Sequence, residues 1–432
     1  MVRKQRKPIV WIAAGSVVGV LLAFLLTSPL WFARFARAVL PDRYVVAYAP
    51  QFVQDIIFDS SGVEALPTAA VSEDEILDLL AGLENATATL PASAANDDQA
   101  PEETIIEQPT QTPEPTATGT PYPISEGQFL SGFRHEYQGW NRCGPATLAT
   151  MLSYFGSEDT QNDIAEQIKP ADDDRNVRPD ELVAYARQAG YGAFYRINGD
   201  LELMQRLLSA GYPVLVERGF DEEPEKDWMG HYMLLYGFSA GDREFYAHDS
   251  YFGPDQVWDF NRFDELWRHF NRTYVVVYNP GDSADVAAII GPDMDNQTMY
   301  ERALVRANEE VDTYDDAFAW YNLGAVLTEL ENYQGAEVAF DVARERILPW
   351  RMYWYRFELY EAYYQTQRYS DLVTLAEATI AYYPDSEEGH YYVGLTYLAQ
   401  GQTRQARTSL NRALNINPSY EPAAQALQQL SN

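Results

Sequence analysis

The chain has one cysteine, Cys143, in the stretch Tyr137-Gln138-Gly139-Trp140-Asn141-Arg142-Cys143-Gly144-Pro145-Ala146-Thr147-Leu148. One thiol can build neither an intrachain disulfide nor a cysteine-based zinc site. A lone cysteine is ordinarily a small buried hydrophobe, so only its surroundings can assign it chemistry. Pro145 suits the first turn of a helix, where its missing N–H would be unpaired anyway. Leu148, Met151, Leu152 and Phe155 then form the buried stripe of that helix. Cys143 stands at its N-terminal end, where the helix dipole stabilises negative charge and so the nucleophilic thiolate. Upstream, Gln138 offers a side-chain amide donor.

Such a thiol needs a base, and the base needs a group to orient it. His231 opens an apolar strand running to Phe238, and Asp249 ends the following strand. If Ser239–Arg243 closes a hairpin, the start of one strand lies beside the end of the other. His231 and Asp249 become neighbours at one sheet edge, the arrangement in which a carboxylate fixes an imidazole tautomer and stabilises its cation. His248 alternates to the opposite face and is the poorer base. The histidines (135, 231, 248, 269 and 390) lie far apart, with no metal-ligand spacing on a helix, so neither metal nor cofactor is expected.

The elements that must hold these groups follow from periodicity and turn signals. Helices are expected over 144–155, 179–189 and 200–209, the second with proline in its first turn and Gly190 beyond its end. Strands rich in Val, Leu, Tyr and Phe are expected over 192–197, 213–218, 231–238, 244–250 and 273–279. Helices followed by a run of strands indicate an α+β domain with a mainly antiparallel sheet.

The order Gln138, then Cys143-Gly144-Pro145-Ala146 opening a helix, then His231 on a strand and Asp249 on the next resembles the papain-like cysteine peptidases. The nearest resemblance is to the peptidase family 39-like domains, relatives of the peptidases that remove double-glycine leaders from exported bacteriocins. It spans residues 128–281. It implies a papain-like fold with Cys143 as nucleophile, His231 as base and then acid to the leaving amine, and Asp249 as orienting residue. Gln138 and the Cys143 backbone N–H would form the oxyanion hole. The chain departs from the leader-removing exporters in carrying one apolar span and no Gly-Lys-Ser/Thr phosphate loop, and Ser250 follows Asp249 where these domains often have proline. A peptide or protein is the implied substrate. The alternatives are a non-catalytic adaptor that uses the same domain for binding, and a thiol amidase or acyltransferase acting on cell-wall peptides.

Residues 282–432 form a further domain, helical and periodic over 296–430. Leu323-Gly324, Leu359-Tyr360 and Val393-Gly394 align, as do Ala336, Leu372 and Ala406, and then Phe340, Ala376 and Leu410. Pro384 and Pro418 close the second and third copies. The pattern resembles the tetratricopeptide repeat, an all-α solenoid with small residues where paired helices touch. Residues 297–311 and 420–430 read as flanking cap helices, and the repeats offer a site for a protein partner.

Toward the N-terminus, Pro8 through Ala33 carries no charge and exceeds the roughly 20 residues that cross a bilayer as a helix. We expect a single transmembrane anchor within residues 1–43. The positive-inside rule places its N-terminus in the cytoplasm and the following domains outside the cell membrane. Residues 44–127 read as an acidic Thr/Pro/Ala-rich tether with one short helix opened by Ser72 and Glu75. That helix is expected to pack on itself or near the anchor. The runs 172–174 and 221–227 read as solvated acidic loops, the second beside His231. Across the chain 64 acidic residues oppose 31 basic ones, for a net charge of −33. So acidic a molecule is repelled by phosphate backbones, which excludes general nucleic-acid binding.

Overall fold

A computed structural model describes residues 71–87, 122–169, 171, 174–221 and 228–430. The expected anchor, Pro8–Ala33, lies outside these residues. Among the described residues no helix is long and apolar enough to cross a membrane.

The first helix, α1 (Glu73–Thr87), opens on the Ser72/Glu75 capping box, with Ser72 N donating to Glu75 Oε2 at 2.8 Å. It packs on the repeats, not on itself: Leu79 and Leu83 are buried in their core, and Val71 N donates to Glu345 Oε1. The physical reason is the apolar stripe, which an isolated short helix cannot bury.

The α+β domain runs through β1 (Gly127–Phe129), α2 (Cys143–Tyr154), α3 (Gln161–Ile168), α4 (Pro179–Gln188), β2 (Gly192–Arg196) and α5 (Leu201–Ser209). It continues with β3 (Val214–Phe220), β4 (Met229–Ser239), β5 (Glu244–Asp249), β6 (Gly253–Asp259), α6 (Phe260–Trp267), β7 (Tyr274–Tyr278) and α7 (Ser283–Ile290). The strands form one antiparallel sheet in the order β2-β7-β3-β4-β5-β6, and β1 joins the far end of β4. Strand alternation sends Leu215, Tyr232, Leu234 and Val275 toward α2 and α4. Val214, Val216, Met233, Leu235 and Val276 go to the opposite face, among α5, α6 and α7. Both faces are covered, which is why the central strands read as continuous apolar runs. Strand β6 and helices α3 and α6 add to the expected elements; β6 lies at the sheet edge with Asp255, Val257 and Asp259 exposed.

Two expected margins shift. Tyr122 and Ile124, expected in the tether, pack on the domain core, and Ser125 N donates to Ser209 Oγ. At the other end, α7 lies beyond residue 281 yet buries Val286, Ile289 and Ile290 against the sheet.

The helical region follows with α8 (Asn296–Tyr314), then pairs α9 (Ala317–Glu329) and α10 (Tyr333–Glu345), α11 (Glu358–Gln365) and α12 (Tyr369–Tyr382), α13 (Glu387–Ala399) and α14 (Thr403–Ile416), closed by α15 (Glu421–Gln429). The pairs share one packing rule with exchanged partners. A Cβ on Gly324 would come within 2.8 Å of the Phe340 ring, and one on Gly394 within 2.7 Å of Leu410. In the middle pair the large residue is Tyr360 and the small one Ala376, both fully buried, with Tyr360 Oη bonded to Thr379 Oγ1 at 3.0 Å. The middle copy thus keeps the combined volume while exchanging which helix supplies it.

The helical region is fastened to the α+β domain. Arg268 pairs with Asp316, Arg272 with Glu310, and Asn322 Nδ2 donates to Arg268 O at 2.7 Å. Asp174, expected in a solvated loop, is buried where it accepts from Tyr383 Oη at 2.8 Å. A turn of 3-10 helix, Trp350–Trp354, lies between the first two repeat pairs and against β4.

Candidate active site

Helix α2 begins at Cys143, so the half-buried thiol occupies its first turn. The loop before it is stitched in place. Gln161 accepts from Gly139 N at 2.7 Å and donates to Tyr137 O at 2.8 Å, while Lys169 Nζ donates to Asn141 O at 2.7 Å. Asn141 takes a left-handed φ of 50°, which turns the chain into the helix.

The hairpin of β4 and β5 forms as expected, with Met233 opposite Asp249. His231 therefore lies diagonally across from Asp249 on one face, and Nε2 is 3.1 Å from both carboxylate oxygens. That engages one ring nitrogen and leaves Nδ1 for Cys143, with which the imidazole is hydrogen-bonded. Burial alone would lower the His231 pKa, but the Asp249 carboxylate and the Cys143 sulfur outweigh it and push it up to about 9.

Asp249 is more elaborately held than the sequence indicates. Its Oδ1 accepts from Tyr251 N at 2.8 Å and Phe252 N at 2.9 Å, and Oδ2 lies 3.3 Å from Arg218 Nη2. Burial would raise its pKa; the His231 imidazole, the Arg218 guanidinium and the Phe252 N–H together hold it well below the usual carboxylate range. Arg218, directly opposite His231 on β3, is fully buried, with its guanidinium 4.3 Å from the Trp258 ring centre. The adjacent Glu217 and Arg218 in a strand otherwise free of charge were the available sequence signal for it.

Gln138 is buried beside this group. Its N–H donates to Ser250 O at 2.9 Å and its Oε1 accepts from Ser250 Oγ at 2.9 Å. Ser250 thereby fixes the amide flip, turning the Nε2 end of Gln138 away from Ser250. His248 faces the other way, stacked on Tyr236 at 4.2 Å, and burial lowers its pKa to about 4.

The chain neighbours of Arg218 and His231 line the opposite face of the sheet. Glu217 pairs with Tyr232 beneath the N-terminus of α2, where a Cβ on Gly144 would come within 3.3 Å of the Tyr232 ring. Tyr355, just after the 3-10 turn of the repeats, lies over Gly230, whose Cβ would come within 3.1 Å of its ring. The repeat region thus reaches the strand that carries His231. Among the described residues, no group of acidic, histidine or cysteine side chains could hold a metal ion.

The arrangement can carry out nucleophilic attack by a thiolate with proton transfer through an oriented imidazole. Residues 128–275 match the model of the Peptidase_C39 like family, and residues 387–420 that of the Tetratricopeptide repeat. Among solved structures, a C39-like peptidase from Bacillus anthracis is 15% identical with a TM-score of 0.31, covering 36% of this chain and 98% of that one. The peptidase domain of Streptococcus ComA, a bi-functional ABC transporter, is 17% identical with a TM-score of 0.28, covering 34% and 99%. MamA from Desulfovibrio magneticus is 18% identical with a TM-score of 0.26, covering 32% and 86%. No curated protein matches the chain. The chain joins a mixed α/β region similar to the C39-like peptidases to a helical region similar to tetratricopeptide repeats.

Proposed function

We propose that the protein is a cysteine peptidase that hydrolyses peptide bonds, with the repeats helping to recruit substrate or a protein partner. The observation that carries this reading is His231 held by Asp249 at 3.1 Å while hydrogen-bonded to Cys143 at the start of α2. In this reading Cys143 attacks the scissile carbonyl and its proton resides on His231. The Cys143 N–H and Gln138 Nε2 receive the developing oxyanion, and the His231 imidazolium passes its proton to the leaving amine. Water, deprotonated by His231, then releases the acyl group. The uncharged run Pro8–Ala33 and the absence of Lys and Arg over 44–133 support placing this activity outside the cell membrane on a single-span anchor.

The test is iodoacetamide labelling of the full chain and of His231→Ala across pH, alongside peptide turnover by wild type and Cys143→Ala. Faster labelling of wild type at neutral pH, and turnover lost in Cys143→Ala, are expected. Equal labelling rates would overturn the reading.

A further inference from the structure

Between the sheet and the repeats lies a cavity of ≈ 290 Å³, close to the lower end of the roughly 300–1,000 Å³ usual for ligand pockets. Glu217 and Tyr355 line it: Glu217 pairs with Tyr232, whose ring a Cβ on Gly144 would approach within 3.3 Å, and Tyr355 lies over Gly230, the chain neighbour of His231. The cavity therefore lies close to the start of α2 and to the strand that carries His231.

Its walls combine carboxylates with phenol rings. Glu217, Glu329 and Glu361 each stand beside a tyrosine: Glu361 accepts from Tyr392 Oη at 3.3 Å, Glu329 is next to Tyr300, and Glu217 is next to Tyr232, whose hydroxyl donates to Val177 O at 2.8 Å. Among the described residues none of the three forms an ion pair. The cavity's two arginines are already engaged. Arg356 bonds Glu358 Oε1 at 2.9 Å and Asn322 Oδ1 at 2.8 Å, and Arg178 pairs with Glu388 at 2.6 Å and Asp180 at 3.0 Å. Burial pushes the Glu217 carboxyl up to about 8, against the opposing pull of the Arg356 guanidinium.

Two further atoms ask for a partner. Asn271, only 5% exposed, lines the cavity with its Nδ2 unbonded among the described residues, and Glu358 Oε2 there is likewise unbonded. A buried donor and acceptor left open are costly unless a ligand completes them.

We propose that this cavity is a substrate subsite beside Cys143 that takes an ammonium-bearing side chain, lysine or another diamino acid, with a peptide carbonyl bound by Asn271 Nδ2. The inference rests on the peptidase reading. Glu329 and Glu361 supply charge, protonated Glu217 supplies a polar wall, the phenol faces supply cation–π attraction, and the repeats contribute most of the selecting groups.

The experiment pairs turnover by the wild-type full chain with calorimetric binding to its Cys143→Ala form, using fluorogenic peptides that differ only by lysine, norleucine or glutamate. The lysine peptide is expected to exceed norleucine by roughly tenfold in both. Glu329→Gln with Glu361→Gln, and separately Asn271→Leu, should shrink that preference toward unity. Lysine-selective binding without turnover keeps the subsite and removes the peptidase reading. Turnover or binding with equal response to lysine and norleucine overturns the subsite, as does the absence of any binding.

Discussion

Arg218 and Asp249 form an ion pair from which solvent is wholly excluded, with both side chains 0% exposed and Nη2 3.3 Å from Oδ2. The pair lies directly behind His231, so the orienting carboxylate is itself oriented. Removing one partner from a buried pair leaves an uncompensated charge, whereas removing both does not. Arg218→Met is expected to cost about 3–5 kcal/mol in urea unfolding. Arg218→Met combined with Asp249→Asn should lose less than the sum of the two single changes. Additive losses would show that the two charges do not depend on each other.

The pH response follows from His231. Its imidazolium persists to about pH 9, so the alkaline limb of kcat/KM should fall near 9. The same shift links to stability. A folded pKa raised above the ordinary 6.5 gives a contribution that is fully present below 6.5 and lost as pH rises through about 9. Asp249→Asn should move the limb to lower pH, since the carboxylate that raises His231 is gone. An unmoved limb would assign the ionisation to another group.

Ser250 acts on chemistry through Gln138. Gln138→Ala is expected to lower kcat by about 10²–10³-fold, the usual loss of an oxyanion donor. Ser250→Ala leaves Gln138 present but unfixed and should cost roughly tenfold in kcat with KM little changed. If Ser250→Ala lowers Gln138→Ala activity by the same factor again, the serine works by some other route.

Glu217 gives a stability signature of opposite sign to a paired carboxylate. Its folded pKa of about 8 exceeds the ordinary 4.5, so the folded state retains a proton that the unfolded state releases, and stability falls as pH rises from 4.5 to 8. Glu217→Gln should raise Tm at pH 8.5 (about half a unit above that value) relative to wild type, and do so less at pH 5. Equal effects at both pH values would show that the carboxyl is ionised throughout.

In the repeats, Gly324→Ala drives a methyl into Phe340, as the 2.8 Å approach requires. A loss of about 1–3 kcal/mol is expected. Trimming the opposing ring with Phe340→Leu in the same chain should recover part of it, measured by thermal unfolding. No recovery would place the strain elsewhere.

Much of the architecture was legible because its signals are local. Runs rich in Val, Leu, Tyr and Phe marked the strands, Pro145 and Pro179 marked helix starts, and small residues recurred at Gly324 and Gly394. The approach of His231 to Asp249 was also legible, because a hairpin fixes which residues become neighbours. Residues 122–127 and α7 were misplaced because apolar residues beside a boundary do not state which core they enter.

Sequence order by itself determined which residue types could meet: one thiol at a helix start, one histidine at a strand start and one aspartate at the end of the next strand. Tertiary structure alone decided what surrounds them. Arg218 reaches Asp249 only because β3 and β5 flank β4, and Ser250 meets Gln138 only because the loop before α2 folds back onto β5's end. Tyr355 arrives from the repeats, a separate stretch of chain placed by the Arg268–Asp316 and Arg272–Glu310 pairs. The physical reason is range. Periodicity and turn chemistry act over a few residues, whereas burial of a charge or completion of a cavity depends on surfaces brought together only when both domains have folded.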